Sequence, residues 1–269
     1  MPGVSPERVH AASAAWVWVP SSARRLETDE YLVVRYPRWW ERPLQLVRLR
    51  SQRPAGVVLD EVIERAGALC DDIEPVLDCW VRLDAPGDLE PALVERGGTL
   101  DETVDVLARD LAHHEPGALA APPGVDLRWT DDLQVLFDAS DLGTAVFGGS
   151  TADRSALEAE HLGEALKYRS GGGGSVVAYV DGRAVATGGV TVAGADARLW
   201  GGAVLPGARG RGLYRAVLAA RLDYAHRSGA TLAIVKGRVE TSAPILRRAG
   251  FAAHGQERSY LVDLRPAGS

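Results

Sequence analysis

Cysteine is nearly absent: Cys70 and Cys79 are the two in 269 residues, which cannot make a disulfide framework or a zinc site. Positive charge is not in excess either. Thirty Lys and Arg stand against 36 Asp and Glu, a net charge of −6, which argues against a nucleic-acid surface as the main partner. No apolar run approaches the length that crosses a bilayer. Ala11–Val19 is short and apolar behind Arg8 and His10, the faint outline of a signal peptide. The stretch before it is barely basic, however, and Trp16-Val-Trp-Val19 suits a strand. A reduced, cytoplasmic chain without a metal or membrane partner is expected. The adjacent His113 and His114 lack companions for metal ligation and read as solvated.

The chain is long enough for one large or two ordinary domains, with ample apolar residues for real cores. Breakers cluster over residues 113–124, so the expected division is a first domain at 1–115, a linker at 116–124 and a second domain at 125–269.

The most informative stretch is Ala203-Val-Leu-Pro-Gly-Ala-Arg-Gly-Arg-Gly-Leu-Tyr-Arg-Ala-Val-Leu218: a strand end, a proline stop, an Arg/Gly turn and an amphipathic helix. Such a turn points backbone N–H groups at one spot, and the helix start adds its positive dipole end. Glycines admit a bulky anion, and Arg209 and Arg211 add charge-assisted donors. This is the chemistry of a phosphate cradle. It is not a Walker loop, because no Gly-Lys-Ser/Thr follows, nor the dinucleotide fingerprint, which needs a third glycine and a later acidic residue.

Elements around the turn are legible. Val125–Trp129 alternates as a strand, Asp131 or Asp132 can cap a helix over Leu133–Ala139, and a second helix runs from Asp153 to Tyr168. Gly171–Ser175 joins that helix to the sheet. Val176–Val180 and Ala184–Val192 make a hairpin about Asp181-Gly182. Arg198–Val204 is a strand, and the helix after the turn puts Leu213, Ala216, Val217, Ala220 and Tyr224 on one face before Gly229 ends it. A strand at Thr231–Val235, a helix at Ser242–Ala249 and a strand at Ser259–Leu264 complete the order β-α-α-β-β-β-α-β-α-β. The expected class is α+β, a largely antiparallel sheet flanked by helices.

With Val204-Leu-Pro206, Arg209-Gly-Arg-Gly212 and Ile245-Leu-Arg-Arg-Ala-Gly-Phe251 in view, the region from Val125 to Leu264 resembles the GNAT superfamily of acyl-CoA-dependent N-acyltransferases. The resemblance implies acetyl-CoA, or another acyl-CoA, as co-substrate, with Arg209, Gly210, Arg211, Gly212, Leu213 and Tyr214 around its diphosphate. Tyr214 stands where a small residue is usual. It implies that the pantetheine arm pairs with the strand edge at Gly202, Ala203 and Val204, and that a backbone N–H there polarises the thioester carbonyl. Gly201-Gly202 is a plausible bulge. Family members often carry an acidic tyrosine where this chain has Leu246. Ser242 can hydrogen-bond the thiol or cap the helix, and Tyr260 and Tyr179 are other donors or strand residues. Glu240 can act as general base, or salt-bridge Arg238 or face solvent. The acceptor is an amine on a small molecule or peptide, and a homodimer is compatible with the chain. The alternative function is a sensor that binds acyl-CoA without turning it over.

Pro91–Gly97 and Asp110-Leu111 repeat as Pro244–Gly250 and Asp263-Leu264, each at an offset of 153. The same offset lays Leu77–Leu83 on 230–236 and Leu59–Leu69 on the helix after the turn, which suggests a tandem GNAT with a shortened first copy. It places Gly56–Glu61 on Arg209–Tyr214. Both arginines are then missing and Asp60 and Glu61 repel an anion, so the first copy is expected to be degenerate and to lack a CoA site. Trp16, Trp18, Trp39 and Trp40 there can line an acceptor pocket or fill a small core.

Overall fold

A computed structural model describes residues 4–20, 23–38, 40–117 and 121–265. The first stretch contains α1 (Pro6–Ala14), β1 (Arg24–Glu27), β2 (Tyr31–Arg35), β3 (Leu44–Leu49), α2 (Ala55–Ala66), β4 (Val76–Val81), α3 (Leu89–Glu95) and β5 (Thr99–Asp110). After it come β6 (Val125–Trp129), α4 (Leu133–Phe147), α5 (Arg154–Arg169), β7 (Gly173–Val180), β8 (Arg183–Ala193) and β9 (Asp196–Val204). The order closes with α6 (Leu213–Arg227), β10 (Leu232–Arg238), α7 (Ser242–Arg248) and β11 (Ala252–Asp263). Trp16–Val19 is not the strand its alternation suggests: α1 ends before it and these residues take no regular structure.

Contacts gather the chain into two compact units. The N unit holds residues 6–106, 237–244 and those from 253 on; the C unit holds 107–236 and 245–252 with the few residues before 6. The units do not follow a single cut at 116–124. β5 and α7 each run from one unit into the other, and β11 groups with the N unit almost entirely.

In the C unit the strands run β10-β9-β8-β7-β6, with β10 and β9 parallel and the other pairs antiparallel. The β7–β8 turn carries φ of 49° at Asp181 and 75° at Gly182, the double left-handed conformation that Asp-Gly favours. Alternation along β7 sorts its side chains. Val176 and Ala178 pack with Leu213 and Val217 of α6, while Val177 and Tyr179 pack with Val135 and Leu142 of α4. Asp132 caps α4 by accepting from the N–H groups of Gln134 and Val135. That helix outruns the expected end at Ala139 because Leu142 continues the buried period. Gly173 and Gly174 belong to β7 and are no linker. A Cβ at Gly173 would lie 2.1 Å from the Val190 carbonyl oxygen, so the glycine permits close strand approach. His114, expected in solvent, is buried and bonds Asp223 at 2.7 Å.

In the N unit the order is β1-β2-β3-β4-β11, with β3 and β4 parallel and β11 antiparallel to β4, Arg258 facing Val81 and Asp263 facing Val76. Its core joins Tyr31, Leu44 and Leu46 to Val58, Leu59 and Val62 of α2, Leu89 and Leu93 of α3, and Tyr260 and Val262. The duplication has a sharp structural signature. Both ends of α3 and α7, and both ends of β5 and β11, differ by 153 residues (Leu89 against Ser242, Asp110 against Asp263). The helix starts do not, since Ala55 of α2 and Leu213 of α6 are 158 apart. Gly56–Glu61 therefore lies inside α2, and the counterpart of the Arg/Gly turn is Ser51-Gln-Arg-Pro54. Trp18, Tyr36 and Trp40 form a closed triangle with centroids 5.3–5.7 Å apart, ring against ring. Burial pushes the Tyr36 hydroxyl up to about 12. Trp39 lies outside the described residues.

Candidate functional site

β9 is interrupted before it reaches its turn. Thr187 faces Ala203 and Gly189 faces Trp200, so Gly188 alone stands opposite both Gly201 and Gly202. Gly201 has φ of 59°, the left-handed first residue of a glycine bulge. The bulge puts neighbours that would share a face on opposite ones. The Trp200 indole lies where a Gly189 side chain would be, 2.3 Å from its ideal Cβ, and donates to Thr191 Oγ1 at 3.1 Å. Gly202 instead faces Tyr214, whose ring carbon would be 3.0 Å from a Cβ there.

Beyond Val204 the chain makes a short 3-10 turn, Pro206–Ala208, and enters the Arg/Gly turn. Gly210 and Gly212 have φ of 76° and 77°, which any side chain would strain. Gly212 is the N-cap of α6 and provides no side-chain cap, so the N–H groups opening the helix have no carboxylate or hydroxyl of that residue to satisfy them. Ala208 and Leu213 are buried and anchor the turn from both ends, while Arg209 and Arg211 are exposed. Arg209 also donates through Nε to the Val204 carbonyl at 3.3 Å. Open N–H groups, a helix dipole and two cations suit a diphosphate. Gly202, Ala203, Val204 and Arg209 through Tyr214 thus form one continuous strand–turn–helix segment.

One residue of this region was missed from sequence. Arg221, two turns into α6, is only 1% exposed. Its Nε donates to the Val217 carbonyl, and its Nη1 donates to the carbonyls of Gly189 and Trp200, all at 3.3 Å. The Tyr214 hydroxyl lies against the guanidinium, yet Nη2 has no well-formed hydrogen bond. Desolvation lowers the Arg221 pKa, and the tyrosine opposes that shift. The available signal was position. Arg221 continues the Leu213–Val217 row of the buried helix face, where an arginine is out of place.

The acid–base candidates divide differently. Glu240 and Ser242 lie in the 237–244 segment that groups with the N unit. Glu240 is exposed; Arg238, its expected partner, instead donates to Glu102. Ser242 is half-buried and is the first residue of α7. Tyr179 is tied to Asp138 at 2.5 Å and its hydroxyl is pushed up, chiefly by burial. Tyr260 donates to Glu90 at 2.6 Å, which raises its pKa. Leu246 is fully buried. Among the described residues no group of three or more His, Cys, Asp or Glu is placed to hold a metal ion, and no helix is long and apolar enough to cross a membrane.

Comparison with known proteins bears on the same segment. Residues 147–251 match the model of the acetyltransferase (GNAT) family. The fold is similar to a GCN5-related N-acetyltransferase from Kribbella flavida, at 22% identity and TM-score 0.67, over 97% of this chain and 96% of that one. A GCN5-related N-acetyltransferase from Sphaerobacter thermophilus is similar at 17% identity and TM-score 0.66, over 90% and 83%. A tandem GNAT protein from the clavulanic acid biosynthesis pathway is similar at 16% identity and TM-score 0.61, over 96% and 88%. No curated protein sequence matches the chain.

Proposed function

We propose that the protein is an acyl-CoA-dependent N-acyltransferase, with acetyl-CoA as its donor and an amine as acceptor; in support, residues 147–251 match the acetyltransferase (GNAT) family model and the fold is similar to that of a tandem GNAT protein. The observation that carries this is the turn Arg209–Gly212, two left-handed glycines and two exposed arginines at the uncapped start of α6. Arg209 and Arg211 bind the diphosphate oxygens together with the N–H groups of Gly210 through Tyr214. The co-substrate supplies an acyl group activated as a thioester. The backbone edge of Gly202–Val204 aligns that arm, and a peptide N–H of the glycine bulge that opens this edge draws electron density onto the carbonyl oxygen. The amine nitrogen then bonds to the carbonyl carbon, the carbon–sulfur bond breaks, and the amine proton is lost as thiolate leaves. Glu240 as proton acceptor and Ser242 as partner of the thiolate are proposed on residue type and sequence position alone.

The first copy is proposed to bind no CoA. Support comes from the start of α2, where the Asp88 carboxylate already accepts from the Ala55 N–H at 2.8 Å.

Calorimetric titration with acetyl-CoA, followed by intact-mass detection of acylated products from an amine library, tests the reading. One CoA bound per chain and at least one acylated amine are expected. Binding without turnover across a broad panel would favour the sensor instead, and no binding would remove both.

A further inference from the structure

Arg221 is an expensive choice for the inner face of a helix. A guanidinium buried in apolar surroundings is costly unless its donors are used, and an aliphatic residue would pack there without that penalty. Its donors go to one place. Nη1 reaches the Gly189 carbonyl of β8 and the Trp200 carbonyl of β9, both at 3.3 Å, where the ladder between these strands is broken. The strands also make room for it. A Cβ at Gly188 would lie 2.8 Å from Arg221 Cζ, and one at Gly202 would lie 3.5 Å from Nη2.

Within a trans peptide the carbonyl and the following N–H point in opposite directions. Holding the Trp200 carbonyl toward α6 therefore turns the Gly201 N–H away from the guanidinium. Gly201 needs such a restraint. A glycine at φ of 59° has the mirror regions of backbone space open to it, so nothing in its own stereochemistry fixes that peptide plane.

Resting on the acyltransferase reading above, we propose that Arg221 is a positioning residue. It clamps the Trp200–Gly201 peptide so that the Gly201 N–H is presented to the acyl carbonyl, and Tyr214 closes the clamp from the side. The clamp is built from Gly188, Gly202, Tyr214 and Arg221, all in the C unit. The Arg221 hydrogen bonds leave the Arg209–Gly212 turn untouched, so loss of the guanidinium is expected to impair polarisation of the acyl group and to spare binding of the CoA moiety.

The test is the infrared carbonyl stretch of acetyl-CoA labelled with carbon-13 at the thioester carbonyl, free and bound. Titration with unacylated CoA provides the affinity. In the wild-type chain the stretch moves to lower frequency on binding. Arg221→Met removes the clamp at similar volume, and Gly188→Ala keeps the charge but displaces the guanidinium. Both should bind CoA within about twofold of wild type while the bound stretch returns to its free position. If Arg221→Met fails to fold by circular dichroism, Gly188→Ala decides alone. A shift retained in the folded variants overturns the proposal, as does tight wild-type binding with no shift; the acyltransferase reading survives either result. Failure of the wild-type chain to bind CoA at all overturns that reading and this one together.

Discussion

The starts of α6 and α2 are the same structural event answered in two ways. Each helix follows a strand and a short turn, and each begins with N–H groups that lack a partner within the helix and with a positive dipole end. At α6 the turn contains two left-handed glycines and two exposed arginines, and its N-cap residue offers no side-chain acceptor. At α2 the chain supplies its own anions. Asp88 accepts from the Ala55 N–H at 2.8 Å, Glu30 binds Arg53 through Nε at 3.0 Å, and Glu61 takes Arg53 Nη2 at 3.1 Å. Arg53 holds the Glu30 carboxyl below its ordinary range, and Arg96 does the same for Asp60. A helix start with internal carboxylates has little left to offer an external phosphate. The two starts differ in backbone as well, since Gly210 and Gly212 have positive φ and none of Ser51 to Pro54 does.

The contrast breaks most visibly at the arginines. Arg209→Ala with Arg211→Ala is expected to weaken CoA binding on the order of 100-fold or more, because two charge-assisted contacts are removed. Calorimetry reads this directly, and unchanged affinity would mean that the turn is not the cradle.

Buried charge sharpens the comparison: the C unit buries Arg221, whereas the N unit buries Arg35 and Arg82 and also acids, Asp78 among them. Asp78 is 3% exposed, and burial pushes its carboxyl up to about 7, opposed by a hydrogen bond from Trp80. Between about pH 4 and pH 7 the folded state keeps a proton that the unfolded chain has released, so stability falls as pH rises through that window. Asp78→Asn removes this slope. It should stabilise the protein by on the order of 2 kcal/mol at pH 8 and have little effect near pH 4, measured by denaturant unfolding at both values. A smaller effect is expected at α2, where Asp88→Ala removes the acceptor for Ala55 and costs about 1 kcal/mol, with no gain of CoA binding. A second CoA bound by that variant would show that Asp88 alone keeps the first copy closed. Last, raising ionic strength should weaken CoA binding modestly, because Arg209 and Arg211 are exposed and screened.

Local pattern carried much of this molecule. The strand Val125–Trp129 has the bounds its alternation predicts, and the α4 cap sits on Asp132 as the Asp pair implied. The Arg/Gly turn and the Gly201 bulge were legible because each requires residues that few other conformations use. Long-range consequences were not. The repeat offset of 153 holds through α3 and β5 but slips by five residues at α2, which misplaced the first copy's turn onto Gly56–Glu61. His114 finds Asp223 more than a hundred residues away, and no local signal announces that partner. Although Arg221 falls on the buried row of α6, the sequence does not say that its guanidinium meets the carbonyls of Val217, Gly189 and Trp200. The pairing of β11 with β4 belongs to the same class, for short-range periodicity says which residues form strands and not which strands meet.

That pairing has a consequence for how the protein comes into being. Arg258 faces Val81 across 177 residues of chain, so a strand of the N unit's sheet emerges from the ribosome long after its neighbours. Until then β4 waits with a bare edge, a template for any stray strand in a crowded cell. Vectorial synthesis, which ordinarily lets a leading domain settle before the next one appears, is here deferred to the closing stages of translation. A premature stop shortly before residue 252 would leave that edge bare and do its damage at the opposite end of the sequence.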